Sequence, residues 1–312
     1  GAQFGSPYVM LQMHMGQEDF GDFYRRCGQI AFWRTNCFPD IRRAASVYAG
    51  REFSNLVKAL GFLGPALRKR HPIYRFQRAF DNLYVPIRPA VESSWKVELR
   101  AMFRSLAPEN EPDLKFVSSL VARSEFPHFH RKVVEAATKA FDRYDSFFPA
   151  LAYERFMPRS KADLQRFRIN RDDFDELKVT YVDIFEITSR ALAYIGAIAN
   201  HVRRGSEETW VDGQTRSLDS VLKMTSFQRE FVLQEFPGLR TLYDEIDRST
   251  RNDFGHFKVR YDFSRGVLVN EQGVEENFLL FLVDVLGAAR VSEASMRLLE
   301  YVNLFELGSP EG

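Results

Sequence analysis

An arginine, an asparagine and a histidine stand at 251, 252 and 256 in the stretch STRNDFGHFKVRYD, residues 249–262. Side chains of these types can cleave a phosphodiester without a metal. Histidine titrates near neutral pH, so His256 suits the work of taking a 2′-hydroxyl proton or protonating a leaving 5′-oxygen. The phosphorane-like transition state spreads negative charge over its oxygens, and the Arg251 guanidinium, which keeps its proton, offers preorganised donors for that charge. Asn252 stands where it can orient either the phosphate or the imidazole.

The Arg-to-His spacing alone carries little. With 33 Arg, 6 His and three permitted separations, chance supplies roughly two matches in a chain of 312 residues. Arg123 indeed precedes His128 and His130 at allowed distances. Requiring Asn directly after the Arg, when the chain holds 10 Asn, lowers the chance expectation below about 0.1. Only Arg251 meets it, and Pro127 interrupts the decoy.

The elements that must position these groups are helical. Residues 181–202 carry Val182, Phe185, Leu192, Ile195, Ile198 and Val202 as an apolar stripe on a long helix. A polar loop and a helix over 219–235 follow, ending at Pro237-Gly238. The next stripe runs through Leu239, Leu242, Tyr243 and Ile246 to Phe254 and Phe257, with Gly255 where a C-terminal cap belongs, so helical geometry should end around His256. Alternation at Val259, Tyr261 and Phe263, then Val267 and Val269, predicts a short hairpin. A helix over 275–305 closes a compact bundle.

An Arg-Asn-x-x-x-His motif at the end of a bundle helix and ahead of a small hairpin resembles the HEPN superfamily, over about residues 180–305. The resemblance implies a metal-independent endoribonuclease that leaves a cyclic phosphate, needs no cofactor, and uses Arg251, His256 and Asn252. It also implies a site built between two such units, hence a homodimer through the C-terminal bundle. Geometry points the same way, because residues five apart on a helix are separated by about 140° and do not automatically meet on one phosphate. In several branches an acidic residue followed by a basic one braces the motif from an earlier helix, and Glu186 with Arg190 has that i,i+4 spacing. An ordinary surface ion pair is the alternative for these two. Phe257-Lys258 follow the histidine where a toxin branch carries Tyr, so regulation by a nucleotidyl-transferring partner acting on that Tyr is not expected. Some relatives are inactive, which leaves a non-catalytic interaction or nucleotide-binding module as the alternative function. Arg251 and His256 also have a plain structural alternative, pairing with Asp247 and Asp253 or with terminal carbonyls.

Upstream the chain changes character. Residues 1–178 hold 29 Lys and Arg against 21 Asp and Glu, and residues 179–312 hold 14 against 21. The excess is steepest at 25–104, with 16 basic and 5 acidic residues, an attractive field for a polyanion. Tyr24, Trp33, Phe53, Tyr74, Phe76, Tyr84 and Trp95 are interleaved there as rings for base stacking or as helix core. Helices are expected near 17–34, 40–61, 72–84, 91–105, 112–122 and 131–147, with breakers at Pro39, 61–65, Pro86, Pro89, 107–113 and Pro127. A charge-dense passage at 158–178 marks the boundary between an N-terminal region, 1–172, and the HEPN-like bundle, 173–312.

The expectation is therefore an almost all-α protein with a short hairpin near its end. Composition, 45% hydrophobic and 27% charged, fits a globular chain. Apolar runs such as 278–289 are too short and too interrupted to span a membrane, and the first residues lack a secretory pattern, so no membrane partner and a cytoplasmic location are expected. Cys27 and Cys37 are expected as buried reduced thiols, and the sequence has no H-E-x-x-H, Walker or G-x-G-x-x-G motif. RNA is the expected partner. The N-terminal region would position RNA, sense a trigger, or hold the site inactive through a regulatory protein, as in toxin or phage-defence (abortive-infection) effectors.

Overall fold

The computed structural model describes residues 17–61, 70–88, 94–107, 109–156, 173–246 and 259–308. Its helices are α1 (Gln17–Asn36), α2 (Phe38–Ala49), α3 (Phe53–Ala59), α4 (Pro72–Tyr84), α5 (Ser94–Arg104), α6 (Glu111–Ala122), α7 (Phe126–Asp142) and α8 (Phe148–Phe156). They continue with α9 (Phe174–Arg204), α10 (Leu218–Leu222), α11 (Ser226–Arg229), α12 (Pro237–Tyr243) and α13 (Phe278–Glu306). An antiparallel sheet of β1 (Val259–Asp262), β2 (Val267–Asn270) and β3 (Glu275–Asn277) lies between α12 and α13, in the order β1-β2-β3. The fold is mostly α-helical, as the periodicity of the sequence predicts.

Several prolines that punctuate the sequence open helices here. Pro39, Pro72, Pro112, Pro127 and Pro237 all sit in a first turn, where the missing N–H has no intrahelical partner to lose. His130, the decoy histidine, thereby falls inside α7. It is fully buried and meets the Asn303 amide at 3.0 Å. Burial, with Arg51 nearby, drives its pKa down to about 3, so it is a neutral core residue.

The frame is the packing of two long helices, α9 and α13, on each other, with the start of α9 at Phe174 against the start of α13 at Phe278 and Phe281, and with α4, α6, α7 and α8 against α13. Apolar residues from both sides of the expected boundary at 172/173 belong to one core, from Ile41, Phe76 and Val133 to Leu192, Phe281 and Val302. α13 is apolar around most of its circumference yet carries a polar seam in which Arg290, Glu293, Glu300 and Asn303 are buried and Arg297 is half-buried, spacings that line one helix face. Arg290 is forked onto Glu154 at 2.7 Å and donates to the Ile87 carbonyl at 2.5 Å. Glu293 accepts from Arg88 and Lys96, and Arg297 bridges Asp81 and Glu300. Asn303 donates to Tyr48 Oη at 2.8 Å. Each buried charge in the seam thus has an opposite partner, which is the condition under which interior ions are tolerated.

Several expectations change in detail, beginning with the helix expected near 40–61, which is divided into α2 and α3. α9 starts at Phe174 rather than 181, because Phe174, Leu177, Tyr181 and Ile184 extend its buried stripe into the charge-dense passage. The helix expected over 219–235 is broken into α10, α11 and a 3₁₀ stretch, Glu230–Glu235. Thr225 and Gln228 form a capping box there, Gln228 N donating to Thr225 Oγ1 at 3.3 Å and Thr225 N to Gln228 Oε1 at 2.9 Å. The start of the last helix is a third strand, after which Asn277 caps α13 by accepting from Leu279 N at 2.8 Å. Finally, α12 ends at Tyr243, and Glu245 N and Ile246 N bond three residues back, to Leu242 O and Tyr243 O. The helix therefore stops well short of Gly255.

Candidate functional site

Arg251, Asn252 and His256 fall in 247–258, outside the described residues. What the structure describes is the frame at either end of that segment. Ile246, the last residue before it, is buried. The preceding Glu245 pairs with Arg290 of α13 at 3.3 Å, and burial raises its carboxyl pKa even though Arg290 opposes the shift. On the far side β1 begins at Val259, and Tyr261 packs its ring on Phe278 at 4.7 Å and on Phe174 at 5.4 Å. The segment that carries the motif thus leaves from, and returns to, the α9–α13 frame.

A cleft of about 470 Å³ opens at the point of departure. Phe185, Thr188, Ser189 and Leu192 of α9 form one wall, Ser226, Glu230 and Leu233 a second, and Tyr243, Asp244 and Ile246 the third. Its shape is fixed by hydrogen bonds across the walls. Tyr243 Oη donates to the Thr188 carbonyl at 2.5 Å, and Arg229 Nη1 donates to Ser189 Oγ at 2.8 Å. Burial raises the Tyr243 phenol pKa, so it remains a protonated donor. The cleft has the size of a nucleotide-scale ligand site.

Glu186 lies on α9 within the same stretch, half-buried and engaged in an interaction of its own. No ion pair joins it to Arg190, despite their i,i+4 spacing; Arg190 is exposed, and its charge acts on Arg229 instead. The structure therefore places Glu186 beside the cleft wall and removes Arg190 as its partner. Arg229, Ser189 and Tyr243 were not legible as site residues. The capping box before Arg229 was the available signal, but nothing local to the sequence says that a buried arginine will reach a serine forty positions earlier.

The basic N-terminal region is more neutralised than its composition suggests. Arg25 and Arg26 pair with Asp22, Arg34 with Asp145, Arg42 with Asp142, Arg43 with Asp40, and Arg51 with Glu306. Phe76, Tyr84 and Trp95 are interior and closed to base stacking, whereas Tyr24 is exposed. Cys27 and Cys37 are free and half-buried rather than fully buried, and burial lifts the Cys27 thiol pKa to about 11. Among the described residues no three His, Cys, Asp or Glu side chains converge as a metal-binding group, and no helix is long and apolar enough to cross a membrane.

Fold and cleft together define a mostly α-helical protein with a cleft walled by α9, the 226–233 stretch and the turn after α12, next in sequence to the Arg-Asn-x-x-x-His segment. Comparison of the chain with models of known protein families, with curated proteins and with solved structures gives no match.

Proposed function

We propose that the protein is a metal-independent endoribonuclease of HEPN type, with His256 as the proton-transfer group, Arg251 as the donor to the phosphorane oxygens, Asn252 as an orienting group and Glu186 as a brace. The observation that carries the reading is the junction at Ile246. The segment bearing the one Arg-Asn-x-x-x-His motif of the sequence starts in the wall of a nucleotide-sized cleft and is anchored at both ends to the α9–α13 frame. Cleavage by these groups uses the neighbouring 2′-hydroxyl as nucleophile. Its oxygen bonds to phosphorus as its proton leaves, the 5′-oxygen departs with a proton, and a 2′,3′-cyclic phosphate remains.

The reading includes a homodimer through the C-terminal bundle, which would bring two motif segments to one cleft. Phe263 and Val274, in the two turns of the sheet, are exposed apolar residues that a second copy could cover. It also includes a cytoplasmic setting, with the N-terminal helices acting as a sensor, RNA platform or docking site for a regulatory protein in a toxin or phage-defence role.

Incubating the protein with total RNA in EDTA should give fragments with cyclic phosphate ends, and His256→Ala should give none. Intact RNA with both proteins would replace this reading by that of an inactive interaction or nucleotide-binding module.

A further inference from the structure

Arg229 is 5% exposed, a guanidinium taken almost wholly out of water. Its Nη1 donates to Ser189 Oγ and its Nη2 to the Met224 carbonyl at 2.6 Å, while its buried Nε has no hydrogen-bond partner among the described residues. No carboxylate pairs with it there, in contrast to Arg290 and Arg297 of the interior seam. Burial, with the charge of Arg190 added, lowers its pKa from the ordinary arginine value. A buried cation without an opposite charge is costly, and the fold holds this one in place through the Thr225–Gln228 capping box and the Met224 carbonyl.

The surroundings say what would compensate it. Ser189 lines the cleft, and because its oxygen accepts from a cation, its own O–H is polarised into a stronger donor. Ser226 brings a second hydroxyl from the facing wall. Arg190, next in sequence to Ser189, adds an exposed guanidinium with no ion pair among the described residues. The two acidic groups of the cleft are already engaged, Asp244 by Arg240 at 3.0 Å and Glu230 in an interaction of its own. Hydroxyl donors backed by two uncompensated guanidinium groups suit a phosphate, whose charge and oxygens match both.

We infer that Ser189, Arg190 and Arg229 form an anion site in this cleft that holds a backbone phosphate of single-stranded RNA. The site rests on the ribonuclease reading for its ligand, and it deepens that reading by naming a phosphate other than the scissile one. Arg229 is a positioning residue that acts through Ser189, and Arg190 makes the contact from the solvent side.

The test uses the full chain with His256→Ala as parent, so that RNA survives, and fluorescence anisotropy of a short labelled single-stranded RNA in EDTA. Arg190→Gln and Arg229→Lys should each weaken binding about tenfold, and Arg190→Gln should reduce the slope of log affinity against log salt by about one. Inorganic phosphate should compete with RNA on the parent and lose that ability with Arg190→Gln. Should Arg229→Lys fail to fold, by circular dichroism and melting, the exposed Arg190→Gln decides alone. Unchanged affinity and salt slope in the folded variants, or a parent that binds no RNA, overturns the site. Weakened binding in the variants of a protein whose unmodified form never cleaves RNA keeps the site and removes the ribonuclease reading. Cleavage and binding both unaffected by the substitutions remove the site alone.

Discussion

Gly287 of α13 approaches the Glu245 carbonyl so closely that a Cβ added to the glycine would stand 2.5 Å from that oxygen. This contact seats the turn after α12 against α13. Gly287→Ala would gain about 1 kcal/mol of helix propensity, but the obstacle is backbone, and overpacking of this kind costs roughly 1–3 kcal/mol. A lower melting temperature and a loss of RNA cleavage are expected. A melt raised by the substitution would show that α13 and the turn are not in contact.

Glu300 is the titrating member of the buried seam. Burial outweighs the attraction of Arg297 and lifts its pKa from 4.5 to about 7. The folded state then holds this proton more tightly than the unfolded state. The Glu300 contribution to stability falls as pH rises from about 4.5 through about 7 and is flat above. Glu300→Gln, which still accepts from Arg297, should flatten the dependence of melting temperature on pH in that window. An identical pH profile in the variant would place the carboxylate outside the interior.

Asp113 behaves with the opposite sign. Burial opposes its charge, but the Ala107 N–H at 3.0 Å and His201 Nε2 at 2.7 Å prevail and hold its pKa below 3.8. Its contribution is present above pH 3.8 and is lost as the pH falls through the lower folded value. The His201 ring also stacks on Phe116 at 4.2 Å, tying the end of α9 to α6. Asp113→Asn should cost about 1–3 kcal/mol at neutral pH by denaturant titration, with the gap to wild type closing in acid. A constant gap down to pH 2.5 would speak against an ionised Asp113 in these hydrogen bonds.

The chemistry itself predicts a graded series. His256→Ala should lower single-turnover cleavage by about 10² to 10⁴-fold, the range of general acid–base catalysis, and Arg251→Ala by a comparable factor. Glu186→Gln, as a brace, should cost about tenfold in kcat with little change in KM. Equal melting temperatures across the three variants would assign the losses to chemistry. A Glu186→Gln variant with full kcat would return Glu186 to the surface of α9.

Much of the fold is legible because helix periodicity is a local property. The stripes at 181–202 and 275–305 anticipate α9 and α13 to within several residues, and the alternation at 259–269 anticipates β1 and β2. The errors fall where local signals compete. A capping box at Thr225–Gln228 divides what apolar spacing alone reads as one helix, and the strand at 275–277 borrows residues that helix periodicity also accepts. α12 ends at Tyr243 although the apolar stripe continues, because the turn that follows is held against α13.

The sequence by itself determined the helical class and the hairpin, since propensity and capping reside in neighbouring residues, and motif identity is its reason for proposing Arg251, Asn252 and His256 over the Arg123 decoy. Tertiary structure decided the rest. It turned Phe76, Tyr84 and Trp95 from offered rings into core, paired the basic N-terminal arginines with distant carboxylates, and buried His130 against Asn303. It also set Arg229 behind Ser189 without an opposite charge. These outcomes depend on which surfaces meet across 40 to 255 positions, and burial and electrostatic pairing exist only once those surfaces have met.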